Sequence, residues 1–321
     1  MRCPQKAPPA KLVLEDKWET AMRLDDQRES GNFEDRGRGS GGGGGMGAMA
    51  LFGIFRLLGF RGIIIIGVIL AGLYFFAPGT FSSLLGGVTG GGQQVAGQGH
   101  VCDTQGQACD FARKVLASTE DVWHEQFRAG RLPSYGSALP SDYTEPTLVV
   151  FTDATTTGCG QASSSIGPFY CPADNKLYLD PAFYQLMTDR LHAPGDFAQA
   201  YVIAHEVGHH VQKLIGATDA GPQESQNEHS VRIELQADCF AGVWGHTASP
   251  TLQIDDADLR EALNAAHQIG DDALQQGAQG HVDPNQFTHG TSAQRMKWFR
   301  KGFDTGDARQ CDTMQGAYAD L

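Results

Sequence analysis

The sequence predicts an α+β domain, mainly helical with a small sheet, preceded by one transmembrane helix. Three observations carry that prediction. Apolar residues recur at helical spacing through Ala108–Gly130, Tyr201–Leu214, Ser230–Gly245 and Asp256–Gln276. Short runs rich in β-branched and aromatic residues lie between the first two of these segments. Ahead of them all, the uncharged stretch Gly62–Ala77 sits between glycine-rich tracts.

With 321 residues and 41 glycines, the chain is longer than one small domain needs, and part of it has a non-globular composition. Residues 1–50 are polar and end in RGRGSGGGGGMGAMA, so they read as a disordered tail. Residues 51–77 carry the membrane-spanning expectation. Gly62–Ala77 alone falls short of the roughly 20 residues that cross a hydrocarbon core. The preceding LFGIFRLLGF extends its reach, and Arg61 can snorkel to the interface. Residues 78–100 are a glycine-rich linker, and residues 101–321 are the folded domain. Arg56 and Arg61 precede the span and the next cation is Arg113, which puts the N-terminus in the cytoplasm and the acidic remainder outside it.

The net charge is −13 and no basic stripe is visible, which argues against a nucleic-acid partner. Six of the seven cysteines follow the apolar stretch, as suits an oxidising compartment, and none has the spacing of a CxxC metal site. Cys159 and Cys171 bracket one loop and read as a bridge. Cys239–Cys311 and Cys102–Cys109 are plausible remaining pairs, although spacing does not dictate connectivity.

Within the domain, Ala108–Gly130 reads as a helix, with His124 an ordinary helix residue. Pro146–Thr152, Lys176–Asp180 and the segment GPFYC at 167–171 read as strands. Pro181–Leu191 restarts a helix before the Ala193-Pro194-Gly195 break. Asp256–Gln276 reads as one continuous helix and Gly280–Phe287 as a loop. His289-Gly290-Thr291-Ser292 then caps a last helix, AQRMKWFRKGF.

The chemistry concentrates in His205-Glu206-Val207-Gly208-His209. Residues four apart share a helix face, so the two imidazoles can hold one metal ion. Glu206 lies beside that face, where a carboxylate can take a proton from water acidified by the ion. A third ligand is needed. The metzincin extension is rejected because Gln212 and Ile215 stand where it requires Gly and His. Glu234 is a carboxylate inside the apolar helix Ser230–Gly245, where ligation would justify its burial. Asp238, one turn on, can accept the free ring N–H of a ligating histidine. His210, His229, Glu224 and Glu228 are rivals that rank lower.

HEVGHH, followed by ELQADCFAGVW and later HGTSAQRMKWF, resembles the neutral zinc metallopeptidase family of single-pass bacterial membrane proteins. That family belongs to the broader gluzincin group, with the third zinc ligand a glutamate on a second helix. The likeness runs from about residue 22 to the C-terminus, and the stretch beginning at Met22 is more similar to the family's amino-terminal segment than residues 1–21 are. It implies a zincin-like metallopeptidase domain that binds Zn²⁺ through His205, His209 and Glu234. Glu206 would be the catalytic base acting on a peptide or protein substrate docked along a sheet edge. His289 could donate to an oxyanion, and Arg295 could pair with a site carboxylate. The alternative is a membrane-tethered, zinc-stabilised binding or assembly module that cleaves nothing; an intact Glu206 argues against it.

Overall fold

The computed structural model of the protein describes residues 22–38, 99–136, 138–222 and 224–321. It has the expected mixed architecture, mostly helical with two small sheets. In chain order the elements are β1 (Phe33–Arg38), α1 (Val101–Thr104), α2 (Gly106–Arg128), β2 (Thr147–Thr152), β3 (Ala154–Thr157), β4 (Gly160–Ser163), β5 (Phe169–Cys171) and β6 (Lys176–Leu179). Six helices follow: α3 (Ala182–Asp189), α4 (Asp196–Ile215), α5 (Gln226–Leu252), α6 (Asp256–Gln268), α7 (Asp271–Gln279) and α8 (Ser292–Thr305).

The helical layer forms because apolar faces meet. On α4, Phe197, Tyr201, Val207 and Val211 are fully buried, and on α5 so are Leu235, Phe240 and Trp244. Phe197 stacks on Trp244 at 5.5 Å, and Trp123 of α2 meets Phe240 edge-on at 5.2 Å, which ties three helices into one core. The helix starts are specified locally: Ser225 with Glu228 caps α5 and Thr291 with Gln294 caps α8, each as a capping box. Cys239–Cys311 joins α5 to the C-terminal segment, and Cys102–Cys109 and Cys159–Cys171 close the other two bridges.

The main sheet has the order β1-β2-β6-β5. β2 is parallel to both β1 and β6, while β5 is antiparallel to β6 and forms one edge. β3 and β4 make a separate hairpin.

Two expectations are corrected. The segment Asp256–Gln276 is not one helix. It breaks at Ile269-Gly270, because the start of α8 packs into that point, and His267 O accepts from Ser292 Oγ at 2.7 Å as well as from Gly270 N at 3.2 Å. A Cβ at Gly270 would lie 2.4 Å from the Ser292 nitrogen, so the approach requires glycine. The second correction concerns the proposed tail at 1–50. Residues 22–38 fold onto the body, with Met22 buried in the core and β1 in the main sheet. Composition hid this, because β1 (FEDRGR) has no apolar alternation and gains its order from pairing with β2.

The rest of that tail, the expected transmembrane helix at 51–77 and nearly all of the linker at 78–100 lie outside the described residues. Among the described residues no helix is long and apolar enough to cross a membrane.

Candidate active site

Helices α4 and α5 cross at small residues. A Cβ on Gly208 would come within 3.1 Å of Ala237 Cα and its carbonyl oxygen, so only glycine permits this approach without displacement. Gly208 lies between His205 and His209, and Ala237 lies between Glu234 and Asp238. This close contact of the two helices therefore sits amid the four candidate side chains.

There the structure brings His205, His209 and Glu234 together, with one ligand atom from each within 4.8 Å of the others. His205 Nε2 is 3.1 Å from Glu234 Oε2 and His209 Nε2 is 3.5 Å from Glu234 Oε1. The two rings are nearly perpendicular, with centroids 4.8 Å apart. Each imidazole turns its other nitrogen away to a fixed acceptor. His205 Nδ1 donates to Asp238 Oδ1 at 2.9 Å. His209 Nδ1 donates to Gln212 Oε1 at 2.8 Å, and the amide of Gln212 is oriented by its own donation to Ile233 O at 2.6 Å. Both Nε2 atoms thereby face one carboxylate, where each can offer a lone pair to an ion that displaces its proton, the set used at zinc sites with three protein ligands.

Asp238 is fully buried and also accepts from Tyr201 Oη, from Arg295 Nε at 2.8 Å and from Arg295 Nη2 at 2.9 Å. A buried carboxylate with this many donors is held ionised. Burial opposes that, but Arg295 and His205 outweigh it and keep the Asp238 carboxyl below its ordinary value. Burial likewise opposes protonation of His205, yet the Asp238 carboxylate overrides it and pushes this imidazole up to about 10. For Glu234, burial is again the opposing influence, and His209 and His205 hold it far below the carboxylate range. The trio therefore gathers negative charge around a positive centre, a role that a proton takes when no metal is bound.

Glu206 lies in the wall of the same cleft, a cavity of about 650 Å³. Burial pushes its carboxyl above the ordinary value, against the pull of the two imidazoles and of the Tyr170 backbone N–H. His289 reaches the cleft from the loop before α8. Its Nδ1 is 3.2 Å from Asp271 Oδ1, and that contact raises its basicity. Asp271 also accepts the backbone N–H groups of Thr288 and His289, both at 2.7 Å, and so positions the loop.

The model of the family described as "Putative neutral zinc metallopeptidase" matches residues 22–314. The chain belongs to this family. Its relatives include "Uncharacterized protein YpfJ" of Escherichia coli (strain K12), 47% identical over 304 residues, which cover 91% of this chain and 98% of that protein. "Uncharacterized protein Rv2575" of Mycobacterium tuberculosis (strain ATCC 25618 / H37Rv) is 45% identical over 188 residues, 54% of this chain and 64% of its own length. No solved structure matches the chain at a significant level. The family match begins at Met22, which is buried in the main core.

The rival ligands are occupied elsewhere. His210 is buried between Thr144 O at 2.6 Å and Tyr170 Oη at 3.0 Å, and burial pushes it down to about 4. Glu224 pairs with Arg232 at 2.8 Å, His229 meets Thr218 O at 3.0 Å, and Glu228 caps α5. His124, read as an ordinary helix residue, bridges Asp142 and Glu145, each at 3.0 Å. Tyr201, Gln212 and Asp271 were not singled out by the sequence. Gln212 had a usable signal, because i,i+3 spacing from His209 places it on the same helix face. Asp271 had none, since 18 residues and a loop separate it from His289.

A second acidic group, Asp196, Asp258 and Glu261, gathers at the N-terminus of α4. Phe197 N donates to Asp196 Oδ1 at 2.8 Å and to Glu261 Oε2 at 3.2 Å, which is helix capping by carboxylates.

Proposed function

We propose that the protein is a zinc-dependent peptidase in which His205, His209 and Glu234 hold the ion and Glu206 is the general base. The observation that carries this reading is the convergence of two Nε2 atoms and one carboxylate, each Nδ1 tied back, in a cleft that also contains an acid outside the ligand set. When bound there, zinc supplies Lewis acidity, polarising a carbonyl and lowering the pKa of water. Glu206, raised by burial, takes the proton of the attacking water and delivers it to the leaving amine. His289, whose basicity Asp271 raises, presents a positive donor to the oxyanion. Asp238 and Gln212 keep both imidazoles in the tautomer that ligates.

Phe169 and Tyr170 of the edge strand β5 line the cleft, so a peptide can add to the sheet there and lay its carbonyls across the site. That geometry favours a peptide or protein substrate. A purely structural zinc site would have no use for a half-buried acid beside its ligands.

The test uses the full chain, with zinc content and digestion of a peptide library measured with and without a chelator. The parent should bind zinc and cleave, and chelation should stop cleavage. Glu206→Gln should keep the metal and lose at least about 100-fold in turnover. If that variant cleaves as fast as the parent, Glu206 is not the base; if the metal-loaded parent cleaves nothing, the non-catalytic module is the better reading.

A further inference from the structure

We infer that residues 22–38 and the disulfide-bonded body, residues 99–321, stand on the same side of any membrane the protein meets. Residues 22–38 are built into the body rather than laid on it. Glu120 on α2 is 1% exposed. Among the described residues, every hydrogen-bond or ion-pair partner of its carboxylate comes from residues 28–32: Ser30 Oγ at 2.5 Å, Asn32 Nδ2 at 2.9 Å and Arg28 Nη2 at 2.8 Å. Without them a charge would stay buried and uncompensated, which is strongly destabilising.

The same segment reaches other parts of the body. Met22 is in the main core, Arg23 N donates to Leu252 O at 2.8 Å, and Phe33, Glu34 and Asp35 pair in register with Leu148, Val149 and Val150. The strand also clamps the point where the chain returns. Asp35 accepts the backbone N–H groups of Val101 at 3.0 Å and Cys102 at 2.9 Å, and Cys102 is bonded to Cys109.

A single crossing between Arg38 and Gly99 would place Asp35 and Val101 on opposite faces of a hydrocarbon layer about 30 Å thick, where none of these contacts could form. Two crossings are not available either, because one uncharged run of this length covers one passage at most. The orientation expected from Arg56 and Arg61, with the N-terminus cytoplasmic and the catalytic body outside, therefore conflicts with the sheet. Three disulfides favour the outer side for both parts. The β1 edge of the sheet, where residues 22–38 join the body, lies opposite the β5 edge that lines the cleft.

The test is site-specific labelling of the full chain in spheroplasts with a membrane-impermeant maleimide, in a Cys3→Ser background. Exposed Asp26 and exposed Gln310 are replaced singly, as Asp26→Cys and Gln310→Cys, and labelled before and after lysis. Both sites should react before lysis and to the same fraction. Reaction of both only after lysis also supports a common side. A split result, with Gln310→Cys labelled before lysis and Asp26→Cys only afterwards, overturns the inference. Labelling reads sidedness and not turnover, so this outcome is independent of the peptidase proposal.

Discussion

Asp238→Asn tests the centre of the proposed site without touching a ligand. In the parent, the Asp238 carboxylate accepts from His205, Tyr201 and twice from Arg295, and it is fully buried. Asparagine keeps one oxygen and turns an NH₂ group toward donors that already point inward. Breaking a buried ion pair by removing one partner costs about 3–5 kcal/mol, and the retained oxygen argues for the lower end. At roughly 2–4 °C per kcal/mol for a body of this size, Tm should fall by about 6–12 °C. Loss of a partner that orients a ligating histidine typically lowers metal affinity about 10–100-fold, and His205 loses its charged acceptor here.

The pH dependence adds a second readout with a defined sign. In the metal-free parent, His205 titrates near 10 because of Asp238, so zinc competes with a proton throughout the neutral range. Zinc affinity in the parent should keep rising with pH toward that value. In Asp238→Asn the rise should end at lower pH, because the carboxylate that holds the proton is gone. Chelator competition across pH 6–10 with calorimetric melting measures both effects. Zinc affinity within about threefold of the parent, with an unchanged pH slope, would refute the orienting role.

Three further outcomes are expected. His289→Ala should lower kcat by about 100-fold or more while leaving zinc content intact, as loss of an oxyanion donor does; steady-state kinetics with metal analysis checks it. Gly208→Val forces a branched side chain against Ala237 Cα, already 3.1 Å from an ideal Cβ, and should destabilise the protein by about 1–3 kcal/mol and weaken zinc retention by parting the ligand helices. Glu261→Gln should raise Tm at pH 8 and change it little at pH 5. Burial and the neighbouring Asp196 push Glu261 up to about 7, so its folded state favours the proton. The stability it contributes is present in acid and lost as pH rises through 7. Glutamine mimics the protonated form, and solvent screening limits the gain to about 1 kcal/mol.

Much of the site is legible in the sequence, for a local reason. His205, Glu206 and His209 belong to one helix, and helical periodicity alone fixes which side chains share a face. Glu234 and Asp238 were legible for a related reason, since a carboxylate inside an apolar helix is too costly without a cation. The strands at 147–152, 169–171 and 176–179 announced themselves through β-branched and aromatic runs. What the sequence by itself determined is therefore whatever depends on spacing within an element or on the cost of burying a charge.

Only the tertiary structure decided how distant elements meet. The break at Gly270 arises because α8 occupies that space; the glycine permits the approach but does not by itself dictate it. The pairing of His289 with Asp271 joins groups with no periodic relation between them, and of the site carboxylates expected for Arg295 only the fold selects Asp238. The N-terminal stretch makes the same point most sharply. Its composition matches a flexible polar tail, yet Ser30, Asn32 and Asp35 have specific partners on α2 and α1. Order in such a segment comes from donors and acceptors supplied by the rest of the fold, and those come into existence only once the fold has formed.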